Sequence, residues 1–203
     1  MLLSHPPKFL QRIYSSLLWF IPNQESGIYL TFDDGPTPLV TPKVLALLKK
    51  YNAKATFFCL GKNIESNPNL FQLILDAGHQ IGNHTYSHLN GWKTNNSVYL
   101  KDIEACQKLV KSNLFRPPYG KINSAQIKRL RTRYKIIMWS ILTRDYDPRI
   151  TKEKCLKLSL HQLKPGSILV FHDSIKAENN MLYALEGVLK YAQKHELKCE
   201  IIQ

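Results

Sequence analysis

At 203 residues with 44% hydrophobic content, the chain is long enough to bury roughly 70% of its unfolded surface as one domain. Its formal net charge of +13 would suit an anionic partner. It carries no zinc-finger spacing, RNA-binding aromatic motif or phosphate-cradling glycine loop, so charge alone speaks for nucleic acid and no nucleic-acid partner is expected.

The chain opens on an apolar stretch, Leu10 to Ile21, with Lys8 and Arg12 near its start, the outline of a secretory signal. Its uninterrupted apolar core is short, and Pro22-Asn23-Gln24-Glu25 follows where small residues would mark a cleavage site. It is also too short to span a bilayer. Phe9, Ile13, Leu17 and Phe20 or Ile21 recur at helical spacing. Residues 1–27 are therefore expected to form an amphipathic helical extension packed on a domain of residues 28–203, with contact to a membrane surface as a further role for that helix.

Ile28 to Phe32 is an apolar strand that delivers Asp33-Asp34 to a Gly35-Pro36 turn. Thr41-Pro42 predicts a capped helix to about Tyr51, and Ala55 to Leu60 a buried strand. Asn67-Pro68 starts a second helix that Gly78 stops. A short strand at Gln80-Ile81 leads into Gly82-Asn83-His84-Thr85-Tyr86-Ser87-His88. Tyr99, Ile103, Cys106 and Val110 lie on one face of the next helix. The strand Leu114-Phe115 then ends in Arg116-Pro117-Pro118-Tyr119-Gly120, a rigid loop because two prolines fix their own dihedrals and restrict their neighbours.

Asn123 caps a basic helix to about Arg133, on which Lys128, Arg129, Arg131, Arg133 and Lys135 read as a solvated face. Lys135 to Ser140 is a strand, followed by a loop holding Asp145-Tyr146. Thr151 caps a helix to about Lys164, and Ser167 to Phe171 is a strand ending in His172-Asp173. A helix from about Asn179 to Lys194 and a strand from about Lys198 to Ile202 complete the chain. Seven strands alternate with six helices, which predicts parallel β-α units closed into a barrel or wound into an open sheet. The polar clusters follow strands at their carboxyl ends, which face one side of a parallel barrel. Four cysteines, Cys59, Cys106, Cys155 and Cys199, are far apart in apolar segments, as buried thiols are in a reducing compartment.

His84 and His88 can converge on one metal ion if their segment makes a helical turn. With Asp34 they form a set of two histidines and one carboxylate that leaves a coordination position open, as catalytic centres do. A cation there lowers the pKa of a bound water to about 7, and Asp33 is placed to act as base. Arg116 can hold Asp33 ionised and aimed. His172 is a candidate general acid, with Asp145 orienting its imidazole and raising its pKa. Trp92 offers a stacking surface.

The strings Thr31-Phe32-Asp33-Asp34-Gly35-Pro36, Asn83 to His88, Arg116 to Gly120 and Leu169-Val170-Phe171-His172-Asp173 resemble, in order and spacing, the motifs of the polysaccharide deacetylases of carbohydrate esterase family four, the NodB-homology group. The resemblance implies an α/β fold, a distorted (β/α)7 barrel, and metal-dependent removal of the N-acetyl group from an amino sugar in peptidoglycan or a chitin-like oligomer. It implies Asp33 as base, Asp34, His84 and His88 as metal ligands, Arg116 tethering Asp33, and His172 as acid with Asp145. Pro118 and Tyr119 would form the oxyanion loop, Tyr119 through its backbone N–H. Where the family commonly has an acidic residue after the fifth-strand tryptophan and an Asp-Trp pair, this chain has Ser140 after Trp139 and Asp145-Tyr146, so the aromatic platform beside the sugar differs.

Zinc is the first choice of metal, with cobalt, nickel, manganese or iron as alternatives. Two other readings accompany this one: a deformylase or amidase acting on a lipid-linked sugar or small amide, and a non-catalytic glycan-binding module. A monomer is expected, cytoplasmic or peripheral at the cytoplasmic membrane, with export to the cell envelope as the alternative.

Overall fold

The computed structural model describes residues 4–22 and 24–203. Its strands are β1 (Gly27–Asp33), β2 (Ala55–Cys59), β3 (Gln80–Asn83), β4 (Leu114–Phe115), β5 (Lys135–Ile136), β6 (Ile141–Leu142), β7 (Ile168–His172) and β8 (Lys198–Cys199). The helices are α1 (Lys8–Ile13), α2 (Thr41–Lys50), α3 (Gly61–Ser66), α4 (Pro68–Asp76), α5 (Asn96–Val110), α6 (Ser124–Leu130), α7 (Lys152–Leu160) and α8 (Glu178–Lys194). The sheet runs in the order β5-β4-β3-β2-β1-β7-β6, with β8 paired to β1. Its strand pairs are parallel. This is the α/β, (β/α)7-type barrel expected, left open between β5 and β6.

β1 lies at the centre of this sheet and is buried along its whole length. Because strand side chains alternate between faces, Ile28, Leu30 and Phe32 join a core that includes Val44 and Leu48 of α2 and Met181 and Leu185 of α8. The Phe32 ring stacks on Phe57 and Phe171 of the flanking strands, with centroids 4.9 and 5.7 Å apart. Thr31 and Asp33 point the other way, where Arg116 meets both. A continuous apolar face thus fixes the strand while its opposite face is free to carry polar groups.

Four local expectations are corrected. The single strand predicted over residues 135–140 is two strands, because after β5 the chain turns to the N-terminal segment: Leu18 donates to Ile136 O and Met138 donates to Leu18 O, at 2.9 and 2.7 Å. Only then does β6 pair with β7. The predicted N-terminal helix ends at Ile13, and Phe9 and Ile13 stand 65% and 68% exposed. Leu17 and Trp19 are buried and Leu18 bridges to Ile137, an alternation that belongs to an extended segment and that the helical reading of the same apolar run concealed. Farther along this segment Phe20 bridges Ser167, and Ser4 O accepts from Leu142 N at 2.7 Å, so residues 4–20 line the gap between β5 and β6.

Thr41 does not cap α2; Val40 holds that position and the Thr41 hydroxyl is used elsewhere. Finally, α3 was not anticipated: it follows β2 directly and starts without a side-chain cap, so it leaves no start signal in the sequence. Asn123 and Thr151 do cap their helices, Asn123 in a reciprocal capping box with Gln126. The basic cluster from Lys128 to Lys135 is exposed. All four cysteines are free thiols, three of them buried.

Candidate active site

The turn after β1 presents Asp34 in a left-handed conformation, φ 80°. This is uncommon for a residue with a side chain and is held only where the surroundings enforce it. The enforcement comes from β7. Asp173 N–H donates to Asp33 O at 3.2 Å, and its buried carboxylate accepts from the Thr41 hydroxyl. That carboxylate lies so close against Gly35 that a Cβ there would sit 2.1 Å from Asp173 Oδ2. Only glycine fits. Burial, reinforced by the charge of Asp34, pushes the Asp173 carboxyl up to about 8. In the sequence only its adjacency to His172 marks Asp173.

His84 and His88 follow β3, but not on the helical turn their spacing allows. Thr85 and His88 have φ 67° and 63°, and the loop is tied by side chains. Asn83 Oδ1 accepts from Thr85 N, Thr85 Oγ1 from His88 N, and Asp102 Oδ2 from both Tyr86 N and Ser87 N. Short polar side chains here replace the backbone ladder. His84 Nδ1–H donates to Arg116 O at 2.7 Å, which fixes the tautomer and leaves Nε2 bare towards the carboxylates. Burial holds the His84 imidazole down at about 4, the neutral form that can ligate.

His84 Nε2 lies 3.8 Å and His88 Nε2 3.2 Å from Asp34 Oδ1. The donor atoms of Asp34, His84 and His88 all fall within 4.8 Å of one another. Asp34 Oδ1 is a buried acceptor with no hydrogen-bond partner, which a cation would satisfy. Burial alone would raise the Asp34 carboxyl, but the imidazoles of His88, His172 and His84 hold it well below the usual carboxylate range. Two imidazole nitrogens and one carboxylate oxygen suit a divalent transition metal with an open position.

Arg116, after β4, is wholly buried. Its guanidinium donates to Asp33 Oδ1 at 2.8 Å, Thr31 Oγ1 at 2.7 Å, Met138 O at 2.9 Å and Ile137 O at 3.3 Å, and lies 4.2 Å from the Phe58 ring centroid. Every bond on the Asp33 side is charge-assisted, and Asp33 Oδ2 remains directed towards His84 Nε2, 3.9 Å away.

On the opposite wall His172 is gripped twice by Asp145, through its backbone N–H at 2.7 Å and through Nδ1–H at 2.8 Å. Burial works against the charged imidazole, but the Asp145 carboxylate, aided by Asp34 and Asp33, prevails and raises it to about 9. The imidazoles of buried His84 and half-buried His172 are therefore driven apart, one neutral and one protonated at neutral pH.

A cavity of about 130 Å³ is lined by Asp33, Asp34, His84, His88, Tyr119 and His172, with Trp139, Tyr146 and Lys176 at its edges. Tyr119 is held at φ 60° in a 3₁₀ turn, and its hydroxyl lies 3.1 Å from His88 Nδ1. Tyr146 packs edge-on against His172, centroids 4.8 Å apart. Arg116 and Asp145 stand behind this surface, and Pro118 is buried and does not line the cavity. Trp92 is not in the cavity either. Its indole donates to Ile122 O at 2.9 Å and it faces a neighbouring depression.

A parallel barrel with one mouth holding a two-histidine, one-carboxylate set, a tethered aspartate and a protonated histidine defines a metal-dependent hydrolase. Residues 21–133 match the family model described as polysaccharide deacetylase, and the chain belongs to that family. It is 37% identical over 186 residues to the peptidoglycan-N-acetylglucosamine deacetylase of Bacillus cereus, covering 87% of this chain and 86% of that one. It is 33% identical over 177 residues to the chitooligosaccharide deacetylase of Azorhizobium caulinodans, covering 82% and 83%. The crystal structure of the Bc1960 peptidoglycan N-acetylglucosamine deacetylase, solved with 4-naphthalen-1-yl-N-oxidanyl-benzamide, superposes with a TM-score of 0.89 at 31% identity, covering 97% of this chain and 95% of that one.

Proposed function

We propose that this protein hydrolyses the N-acetyl group of an N-acetylglucosamine-type sugar within a glycan, releasing acetate and the free amine. The observation that carries the reading is the convergence on one small cavity of the Asp34, His84 and His88 donor atoms with the Asp33–Arg116 and His172–Asp145 pairs. The peptidoglycan and chitooligosaccharide deacetylases among its relatives supply the substrate class. A divalent cation on Asp34, His84 and His88, zinc by first choice, would supply Lewis acidity to the acetamide carbonyl and to water.

The protein groups then divide the proton work. Asp33 takes the proton of the attacking water on Oδ2 while Arg116 holds Oδ1 in place. The Tyr119 backbone N–H would be the donor to the developing oxyanion, the role the family resemblance implies. His172, protonated at neutral pH, passes its Nε2 proton to the departing amine, and Asp145 holds the ring for that transfer. A base held by Arg116 and an acid held by Asp145 at one cavity are what this hydrolysis needs.

The test is acetate release from N-acetylglucosamine oligomers, lost with chelator and restored by zinc. Asp33→Asn is expected to lower kcat by about 10²–10⁴-fold while bound metal per chain is unchanged. Full activity in that variant would remove Asp33 from the mechanism.

A further inference from the structure

The sequence contains three tryptophans, and Trp19, Trp92 and Trp139 all line one cavity of about 260 Å³ next to the catalytic one. Leu10 and Tyr14, from α1 and the turn after it, and Met138 complete its apolar wall. Gly120 and Trp139 line both cavities, and a Cβ on Gly120 would lie 2.5 Å from Trp139 Cη2. The bare backbone at residue 120 is therefore what lets the indole lie between the two. Half of the lining residues, Pro6, Pro7, Leu10, Tyr14, Leu17 and Trp19, lie ahead of position 21, where the family match begins.

The polar inventory narrows the occupant. Trp19 Nε1–H is spent on Tyr14 O and Trp92 Nε1–H on Ile122 O, at 3.1 and 2.9 Å. Trp139 Nε1 is buried with no partner among the described residues. The side-chain polar groups left on the lining are the Tyr14 hydroxyl, Lys121 Nζ and Trp139 Nε1, with no carboxylate or amide among the described residues, and a pyranose placed here would bury most of its hydroxyls unpaired. An alkyl chain would not. At the rim Lys121 Nζ sits 3.7 Å from the centroid of the Trp92 ring, a cation available to an anionic linkage between chain and sugar.

We infer that this cavity is a subsite for the alkyl chain of an amphiphilic substrate, an N-acetylated amino sugar carrying an apolar aglycone. The inference rests on the deacetylase reading for the sugar end and adds the chemistry of the other end. Because all three tryptophans sit in its wall, intrinsic fluorescence reads occupancy without turnover.

Octyl N-acetyl-β-glucosaminide, kept below its micelle concentration, is expected to shift tryptophan emission saturably, and the methyl glycoside to leave it unmoved. The octyl glycoside should exceed the methyl glycoside in kcat/KM by at least about tenfold, since each buried methylene favours it. Leu10→Glu, which places a charge in the apolar wall, should collapse that ratio towards one. Unshifted emission with octyl glycoside in the wild-type protein, or equal specificity constants, overturns the subsite whatever the variant does. A shift by a chitooligosaccharide but not by the octyl glycoside makes the cavity a sugar site instead. Emission that shifts while no glycoside yields acetate would sink the deacetylase reading and leave the alkyl site standing.

Discussion

The central strands and the border strands of this sheet do different work. β1 has seven residues and β2 and β7 five each, whereas β4, β5 and β6 have two each. Of the groups that would touch water, metal or leaving group, Asp33 and His172 end β1 and β7, and Asp34, His84 and His88 lie in the turns after β1 and β3. Arg116 and Asp145, which aim them, follow β4 and β6. The long ladders fix the backbone at Asp33 and His172 through many bonds, and the turns beyond β1 and β3 are held by side chains: Asp173 behind Asp34, and Asn83, Thr85 and Asp102 under the two histidines. The border strands offer no such ladder, and the orienting residues make their own anchors. Arg116 spends two of its donors on the carbonyls of Ile137 and Met138, and Asp145 holds both the ring and the backbone of His172.

The sharpest way to break this division is Arg116→Ala. Removing the guanidinium strands the buried Asp33 carboxylate and the carbonyls of Ile137 and Met138, and should cost about 3–5 kcal/mol of stability, read as a lowered midpoint in urea unfolding. A loss under about 1 kcal/mol would mean that Arg116 behaves as a surface ion pair and that the border half is not self-anchored.

Asp145→Asn tests the other orienting residue with a smaller effect. The raised His172 value means that the acid is charged, and its pairing with Asp145 stabilising, below the ordinary imidazole range. Both are lost as pH rises through about 9. In the variant the basic limb of kcat should move to lower pH, with activity at pH 8 reduced by about tenfold or more. An unmoved limb would assign it to another group. The least effect belongs to Phe9→Ser on α1: a side chain 65% exposed should change stability by no more than about 0.5 kcal/mol, and a larger loss would show that α1 is packed more firmly than its exposure indicates.

The same division explains what could be read from the sequence. Strands β1, β2 and β7 announce themselves by continuous apolar runs, and the polar clusters at the ends of β1, β3, β4 and β7 name the candidate site. The loop of His84 and His88 has a legible composition but not a legible path, because Asn83, Thr85 and Asp102 bend it through bonds that no periodicity encodes. Thr41 looks like a cap by local rule, yet its hydroxyl goes to Asp173, 132 positions away in sequence. The segment around Leu18 was misread for a related reason. An apolar run too short to fix its own period takes its conformation from the strand it lands on, and that partner, Ile137, is remote in the chain.

The stitch made by Leu18 and Phe20 has a practical corollary for anyone trimming this polypeptide. The family match starts at residue 21, which invites removal of everything before it. Doing so would strip the hydrogen-bonded cover from Ile136 and Met138 and leave a bare selvedge beside β5, the sort of open border on which one molecule can recruit the next into aggregates. Residues 4–20 act as the seam binding of the barrel, and solubility, before activity, is where their loss would be felt.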